Sequence, residues 1–117
     1  MTASNPVLRR TVVMLEKTGR KQKARIWSDA SKLLSAPAGT RVEVNLGRIS
    51  NVAGDAGAVF VPGKVLGTGA AGKKLVVGAF SFSASARSKI EATGGAALSV
   101  EDFLKRYPKG SGVKLVR

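Results

Sequence analysis

The sequence of 117 residues contains no cysteine and no histidine. Without thiols there is no disulfide bond, no thiolate zinc site and no cysteine nucleophile. Without imidazoles the chain also lacks the side chain that most often transfers protons in enzymes. The seven Asp and Glu residues are scattered along the chain and form no paired acid and base. We therefore expect a protein that is not an enzyme and that holds no metal and no cofactor.

Aromatic residues are scarce, with one Trp, one Tyr and four Phe in the whole chain. Ala, Gly and Val supply most of the apolar content, which predicts a core of small side chains. No apolar run approaches the roughly 20 residues of a membrane-spanning helix. The first ten residues, MTASNPVLRR, lack the apolar stretch of a signal peptide. We expect a soluble, cytoplasmic protein with no membrane partner and no small-molecule substrate.

Positive charge is the feature that the chain has in excess: 20 Lys and Arg against 7 Asp and Glu give a net charge of +13. A chain this basic favours polyanionic partners, nucleic acid first and an anionic membrane surface second. The cations are spread over the whole sequence, and exposed rings for stacking single-stranded bases are few. This distribution favours structured RNA, bound through its shape and its phosphates.

The first 37 residues read as two helices. Asn5 and Pro6 form a helix start, with Asn as the cap and Pro in the first turn. The first helix presents an apolar face of Leu8, Val12 and Leu15. A polar stretch, 18–23, interrupts this pattern and predicts a linker before a second helix at about 23–35. Four cations lie at this linker: Arg20, Lys21, Lys23 and Arg25. They form either a phosphate-facing elbow, which we favour, or a solvated linker.

The rest of the chain alternates short strands and helices. Strands are predicted at 40–44, at 58–61, where Pro62 and Gly63 end the strand, and at 75–80, 96–98 and 113–116. Short helices are predicted at 45–52, 83–93 and 99–107. Alternation of this kind favours parallel strands joined by crossovers. We predict one domain, 1–117, with an α/β core at 38–117 and a basic helical N-terminal extension at 1–37.

A glycine and lysine loop precedes the strand at 75–80 and matches two nucleotide-binding patterns. Gly67 to Gly72 fits GxGxxG, and Gly67 to Lys73 fits the first part of a P-loop. Both patterns require a helix directly after the glycines, whereas a strand is predicted here, and Lys74 replaces the Ser or Thr that holds magnesium. A nucleotide-binding enzyme is therefore the disfavoured hypothesis. The loop, with Lys64, Lys73 and Lys74, either lies near phosphates or is a solvated hairpin tip.

Several motifs in a fixed order resemble one family. They are VNLGRI at 44–49, VPGKVLGTG at 61–69, FSASA at 82–86 followed by Lys89 and Ile90, and GSGVKL at 110–115. The chain resembles the archaeal and eukaryotic large-subunit ribosomal protein eighteen of the eukaryotic type, related to bacterial large-subunit protein fifteen, and its short length is similar to archaeal members. The resemblance implies an irregular superhelical α/β fold of strand–strand–helix turns. It also implies a structural role in the large subunit, with its rRNA and neighbouring ribosomal proteins as partners.

The resemblance further implies a basic block that binds rRNA, formed by Asn45, Arg48, Lys64, Lys73 and Lys89. Together with the cations singled out along the chain, the candidate rRNA-binding residues are Arg9, Arg10, Lys17, Arg20, Lys21, Lys23, Arg25, Asn45, Arg48, Lys64, Lys73, Lys74, Arg87 and Lys89. The alternative function is a free-standing RNA- or DNA-binding module outside the ribosome. Such a module would be equally basic, so the net charge does not distinguish the two functions.

Overall fold

The computed structural model describes residues 5–117, which form a mixed α/β fold. The helices in this part of the chain are α1 (Pro6–Gln22), α2 (Arg25–Leu34), α3 (Leu46–Ala53), α4 (Ala84–Ala92) and α5 (Val100–Arg106). The strands are β1 (Val42–Asn45), β2 (Ala58–Leu66), β3 (Val76–Phe82), β4 (Ala96–Leu98) and β5 (Val113–Leu115). A short 3₁₀ turn, Ala38–Thr40, precedes β1. The predicted fold class is confirmed.

All strand pairs in the sheet are parallel, as the alternation of elements predicted. β3 pairs with one edge of the long strand β2, and β4 pairs with β3. The other edge of β2 is shared, with β5 opposite Ala58–Phe60 and β1 opposite Gly63–Leu66. Helices cross over between the other consecutive strands, but a loop at 67–75 alone joins β2 to β3. Because β2 and β3 are parallel, this loop is not the tip of a hairpin.

β2 extends further than the sequence suggested. It runs through Pro62 and Gly63 to Leu66, so the prediction of a strand end at these two residues was wrong. The register between β2 and β3 shifts between Val61 and Lys64, at the proline. Proline has no N–H to donate to a ladder and is tolerated where pairing is irregular. The chain therefore keeps its strand direction through two residues that usually end a strand.

The two faces of the sheet carry two different cores. Alternate residues of a strand point to opposite faces, and one face packs against α3 and α4 through Val, Ala, Leu and Ile side chains. This core has the predicted small side chains. The opposite face packs against α1, α2 and α5 around three fully buried aromatic rings, Trp27, Phe60 and Phe103. The expectation of a small-residue core was therefore wrong for this face.

The aromatic core ties the N-terminal helices to the sheet. The ring of Trp27 lies edge-on to those of Phe60 and Phe103, with centroids 5.2 and 6.0 Å apart. Its indole N–H donates to the carbonyl of Pro108 at 2.9 Å. The helical N-terminal segment predicted from the sequence is thus present, and it supplies half of the buried residues of the aromatic core, namely Leu15, Ala24, Trp27, Ala30 and Leu34.

α1 also differs in length from its prediction. Asn5 caps it as expected, accepting hydrogen bonds from the N–H groups of Val7 and Leu8. The predicted linker at 18–23 was wrong, since the helix continues to Gln22 and ends at Lys23, which adopts a left-handed conformation. Gly19, which lies within the predicted linker, is a buried residue of α1. A Cβ there would lie 2.6 Å from Ser28 Oγ, so glycine allows α1 and α2 to approach closely.

No helix among residues 5–117 is long and apolar enough to cross a membrane.

Candidate nucleic-acid interface

All fourteen candidate rRNA-binding side chains are exposed, but they fall into two groups. Nine of them have no hydrogen bond or ion pair with any other described side chain or backbone group; these are Arg9, Arg10, Lys17, Arg20, Lys21, Lys23, Asn45, Lys64 and Lys74. The other five are partnered within the protein; these are Arg25, Arg48, Lys73, Arg87 and Lys89.

Most of the unpartnered cations lie along α1. The buried side of this helix is marked by Thr11, Leu15 and Gly19. At 100° per residue, Arg10 and Lys17 fall on the opposite side, in line with the exposed Val13. We call the cations of this helix and its end the α1 surface: Arg9, Arg10, Lys17, Arg20, Lys21 and Lys23. It follows a helix about 25 Å long.

The α1 surface ends at the corner between α1 and α2. Arg20 and Lys21 occupy the last turn of α1, where cations interact favourably with the helix dipole. The left-handed Lys23 follows, and Arg25 begins α2 and pairs with Asp29 at 3.9 Å. The predicted elbow therefore exists as a tight helical corner rather than a linker. Three of its four cations have no partner in residues 5–117.

The second group surrounds the loop at 67–75, in the layer of α3 and α4. The ammonium group of Lys89 donates to the carbonyls of Gly67 and Gly69, at 2.7 and 2.8 Å. Gly69 has φ 91°, and a Cβ there would lie 2.7 Å from the Cα of Gly47. The N–H of Gly47 donates to the carbonyl of Thr68 at 3.0 Å. Lys89 and α3 thus hold the loop from two sides.

Other bonds fix the same layer. Ser50 donates to the carbonyl of Ala71 at 2.6 Å, and Lys73 donates to the carbonyl of Gly54. The guanidinium group of Arg48 donates twice to the backbone oxygen of Arg117, at 3.2 and 3.0 Å.

Arg87 is engaged as well. It donates to the carbonyl of Ala97 at 3.3 Å and lies over the ring of Phe82, 5.1 Å from its centroid. Four side chains predicted to bind phosphate therefore use part of their donor capacity inside the protein: Arg48, Lys73, Arg87 and Lys89. Their assignment as rRNA contacts stays a prediction.

One cation near these residues was not in the predicted set. Arg41 precedes β1 and is half-buried, and its Nε is buried without a hydrogen-bond partner. Lys64, across from β1 on β2, is exposed and unpartnered. The sequence showed Arg41 only as one of many cations beside a short alternating strand, and that pattern does not reveal burial.

The geometry offers little for other chemistry. The glycine loop is followed by β3, as predicted, and not by the helix that a nucleotide-binding pattern requires. Among residues 5–117, no three metal-ligating side chains come together. The site therefore consists of positive charge in two places, along the α1 surface and in the layer of α3 and α4.

Comparisons with known proteins agree with this picture. A family model that describes the ribosomal proteins 50S-L15 and 50S-L18e, together with their 60S counterpart, matches residues 25–98. The chain belongs to this family. It is 40% identical over 114 residues to large ribosomal subunit protein eL18 of Methanococcus maripaludis, covering 97% of this chain and 95% of that protein. This L15/L18e family consists of ribosomal proteins, which confirms the resemblance and the expectation of a protein that is not an enzyme.

Two further archaeal relatives match along their whole length. Large ribosomal subunit protein eL18 of Archaeoglobus fulgidus is 40% identical over 116 residues, 99% of each chain. That of Halobacterium salinarum is 38% identical over 117 residues, 100% of each chain. The similarity to archaeal members that the short sequence suggested is therefore confirmed.

Proposed function

We propose that this protein is a structural constituent of the large ribosomal subunit, and that it binds folded rRNA through phosphate contacts of the α1 surface. Family membership supports the role in the subunit. The observation that carries the RNA contact is the α1 surface itself: six exposed cations on one helix and its end, without a partner in the described residues. Its partners would be large-subunit rRNA and neighbouring ribosomal proteins, in the cytoplasm.

A phosphate-binding role fits the physical character of this surface. Cations that neutralise phosphates release condensed counterions, and this release supplies much of the affinity at low salt. The α1 surface has only one acid on its helix, Glu16, to compete with phosphates. Lys64 and Lys74 lie outside the α1 surface, on β2 and in the loop before β3. A protein with cations on both layers suits a position between several RNA strands.

Salt titration tests the proposal directly. Binding to a large-subunit rRNA transcript is measured at several salt concentrations for the wild type and for a variant with Arg10, Lys17, Arg20 and Lys21 changed to Gln. Since each phosphate contact contributes roughly 0.7 to 0.9 to the slope of log affinity against log salt, removing four contacts should make it shallower by about three.

A matched control removes the same charge elsewhere. In this variant four other exposed lysines are changed to Gln: Lys32, Lys105, Lys109 and Lys114. We expect its slope to stay within about one of the wild type, because it keeps the α1 surface. Equal slopes for the two variants would show that only total charge matters and would refute the α1 surface as the contact. Thermal melts verify that both variants are folded.

Sedimentation distinguishes the ribosomal role from a free-standing module. The native protein should sediment with the large subunit in a sucrose gradient at moderate salt. A protein that stays at the top of the gradient, and that binds duplex DNA as tightly as rRNA at equal salt, would support the module instead.

A further inference from the structure

A small cleft lies where β1, β2 and β3 run side by side. Its volume is about 280 Å³, and its lining includes Arg41, Glu43, Lys64, Phe80 and Ser81. The strand register explains this grouping, because Glu43 is opposite Lys64 and Lys64 is opposite Ser81. Three polar side chains from three strands therefore form one row, about 4.8 Å apart from strand to strand.

The cations of the cleft have unused donors. The Nε of Arg41 is the one buried side-chain nitrogen or oxygen in residues 5–117 that has no hydrogen-bond partner. An arginine stays charged at any physiological pH and donates in a fixed planar geometry, which suits a phosphate. Lys64 adds a second, exposed cation without a partner. Neither forms an ion pair with Glu43 within 4.0 Å.

An aromatic ring completes the cleft. Phe80 is half-buried and lines this cleft together with a second one, of about 300 Å³, that is bordered by Arg10 of the α1 surface. A partly exposed ring beside cations is how proteins bind unstacked bases of single-stranded RNA. Sequence patterns did not point to such a platform, because they do not reveal which of six aromatic residues is accessible.

The mixture of charges narrows the ligand class. A free phosphate would meet the carboxylate of Glu43 as well as the two cations. A ribonucleotide has a phosphate for Arg41 and Lys64, a base for Phe80 and a 2′-hydroxyl that can donate to a carboxylate. A nucleotide therefore has a group for both cations, for Phe80 and for Glu43, whereas a simple anion leaves Phe80 and Glu43 unmatched.

We propose that this cleft binds one unstacked nucleotide of a single-stranded rRNA segment, with the base against Phe80, the phosphate on Arg41 and Lys64, and the ribose hydroxyl donating to Glu43. This inference rests on the proposed function, because it specifies a kind of RNA contact. It adds a contact outside the α1 surface.

Photochemical cross-linking tests the position of the base. The probe is a pentaribonucleotide with a central 4-thiouridine, irradiated with the full-length protein and digested with trypsin. The label should appear on the peptide 75–87, which contains Phe80. Since stacking of one base on a ring contributes about 1 to 3 kcal/mol, or fivefold and more in affinity, F80L should lower the labelling at least about fivefold.

F82L is the matched control. Phe82 lies on the same peptide and is also half-buried, but its ring is covered by Arg87. Labelling should survive F82L. Equal loss in both variants, or labelling of a different peptide, would overturn the cleft. Urea unfolding of each variant verifies the fold.

A second measurement stays informative if F80L does not fold. Affinity for the same pentanucleotide is measured against salt for R41Q and K64Q, the two cations that line the cleft. Each should weaken binding and make the slope shallower by about 0.7, the value per contact for single strands. The wild type should bind the deoxy pentanucleotide more weakly than the ribonucleotide, whereas E43A, which has no acceptor for the 2′-hydroxyl, should bind the two with equal affinity. Unchanged slopes in R41Q and K64Q would overturn the proposal.

The outcome also separates this proposal from the broader one. If the pentanucleotide does not bind while binding of the rRNA transcript still depends on the α1 surface, the cleft is refuted and the proposed function stands. If the transcript does not bind either, both proposals fail.

Discussion

Lys89 is the residue whose replacement separates a structural role from an RNA contact. Its ammonium group donates to the carbonyls of Gly67 and Gly69, at 2.7 and 2.8 Å. A hydrogen bond from a charged donor contributes about 1.5 to 3 kcal/mol when buried, and water reduces this value for an exposed side chain. We therefore expect K89Q to weaken the attachment of the loop by about 1 kcal/mol in total.

The free energy of opening this loop can be measured at a single amide. The N–H of Gly47 donates to the carbonyl of Thr68, between the two carbonyls that Lys89 binds. Hydrogen exchange at Gly47 should be about fivefold faster in K89Q, since 1.4 kcal/mol corresponds to a factor of ten. The slope of rRNA affinity against salt should stay as in the wild type, because a side chain bound to carbonyls releases no counterion from phosphate.

The control for this experiment is K109Q, which removes an exposed lysine without a described partner. It should leave exchange at Gly47 unchanged. If K89Q also leaves this exchange unchanged but makes the salt slope shallower by about 0.8, the ammonium group contacts phosphate in the complex. That result would refute the structural role of Lys89.

Three substitutions test the fold, each by urea unfolding. W27F should destabilise the protein by about 2 kcal/mol, because it removes buried volume and leaves the carbonyl of Pro108 without its donor; a loss below about 0.5 kcal/mol would mean that the ring is not anchored there. G69A should cost about 2 kcal/mol, because Gly69 has φ 91° and a Cβ would meet Gly47; unchanged stability would contradict this loop conformation. S99A should cost about 1 kcal/mol by removing the cap of α5; an unchanged midpoint would show that this cap is dispensable.

Local signals were reliable where they agreed with the packing. The cap predicted at Asn5 marks a real helix start, and the helices predicted to begin near residues 83 and 99 are capped by Ser83 and Ser99. The valine-rich run at 75–80 corresponds to β3, since its apolar residues fill both faces of a parallel sheet. The caps depend on hydrogen bonds between residues that are close in sequence. Burial on both faces of the sheet is visible in the unbroken apolar run of one strand. A single segment therefore contains enough information to predict each of these elements.

Two wrong predictions, the linker at 18–23 and the strand end at 62–63, share another cause. Gly19 and Pro62 are residues that usually interrupt helices and strands, and both lie inside elements. Gly19 allows the close approach of Ser28 from another helix. Pro62 lies where the pairing of β2 with β3 shifts. Such reasons are contacts between distant segments, which a single sequence does not display.

The candidate site was predictable in kind but not in arrangement. The charge predicted a polyanionic partner, and RNA contacts stay a prediction. The resemblance predicted the family, and the comparisons confirm the family. Neither shows which cations point outward and which bind the backbone. The α1 surface is free to contact phosphate while Lys89 binds loop carbonyls, and this difference depends on where the side chains lie in the fold. The prediction of one domain, with a helical N-terminal segment at 1–37 and an α/β core at 38–117, stays a prediction.

Because acids are scarce, cations of this protein can order its loops while the protein keeps a high positive charge. Among residues 5–117 there are two ion pairs, both exposed, while three cations bind backbone carbonyls: Lys73, Arg87 and Lys89. A carbonyl accepts a hydrogen bond but carries no net charge. A lysine paired with glutamate would fix the loop, but the glutamate would neutralise its positive charge. Lys89 fixes the loop through uncharged carbonyls, so its positive charge is not neutralised. The protein can thus order its loops with the same side chains that give it a charge of +13 toward a polyanion.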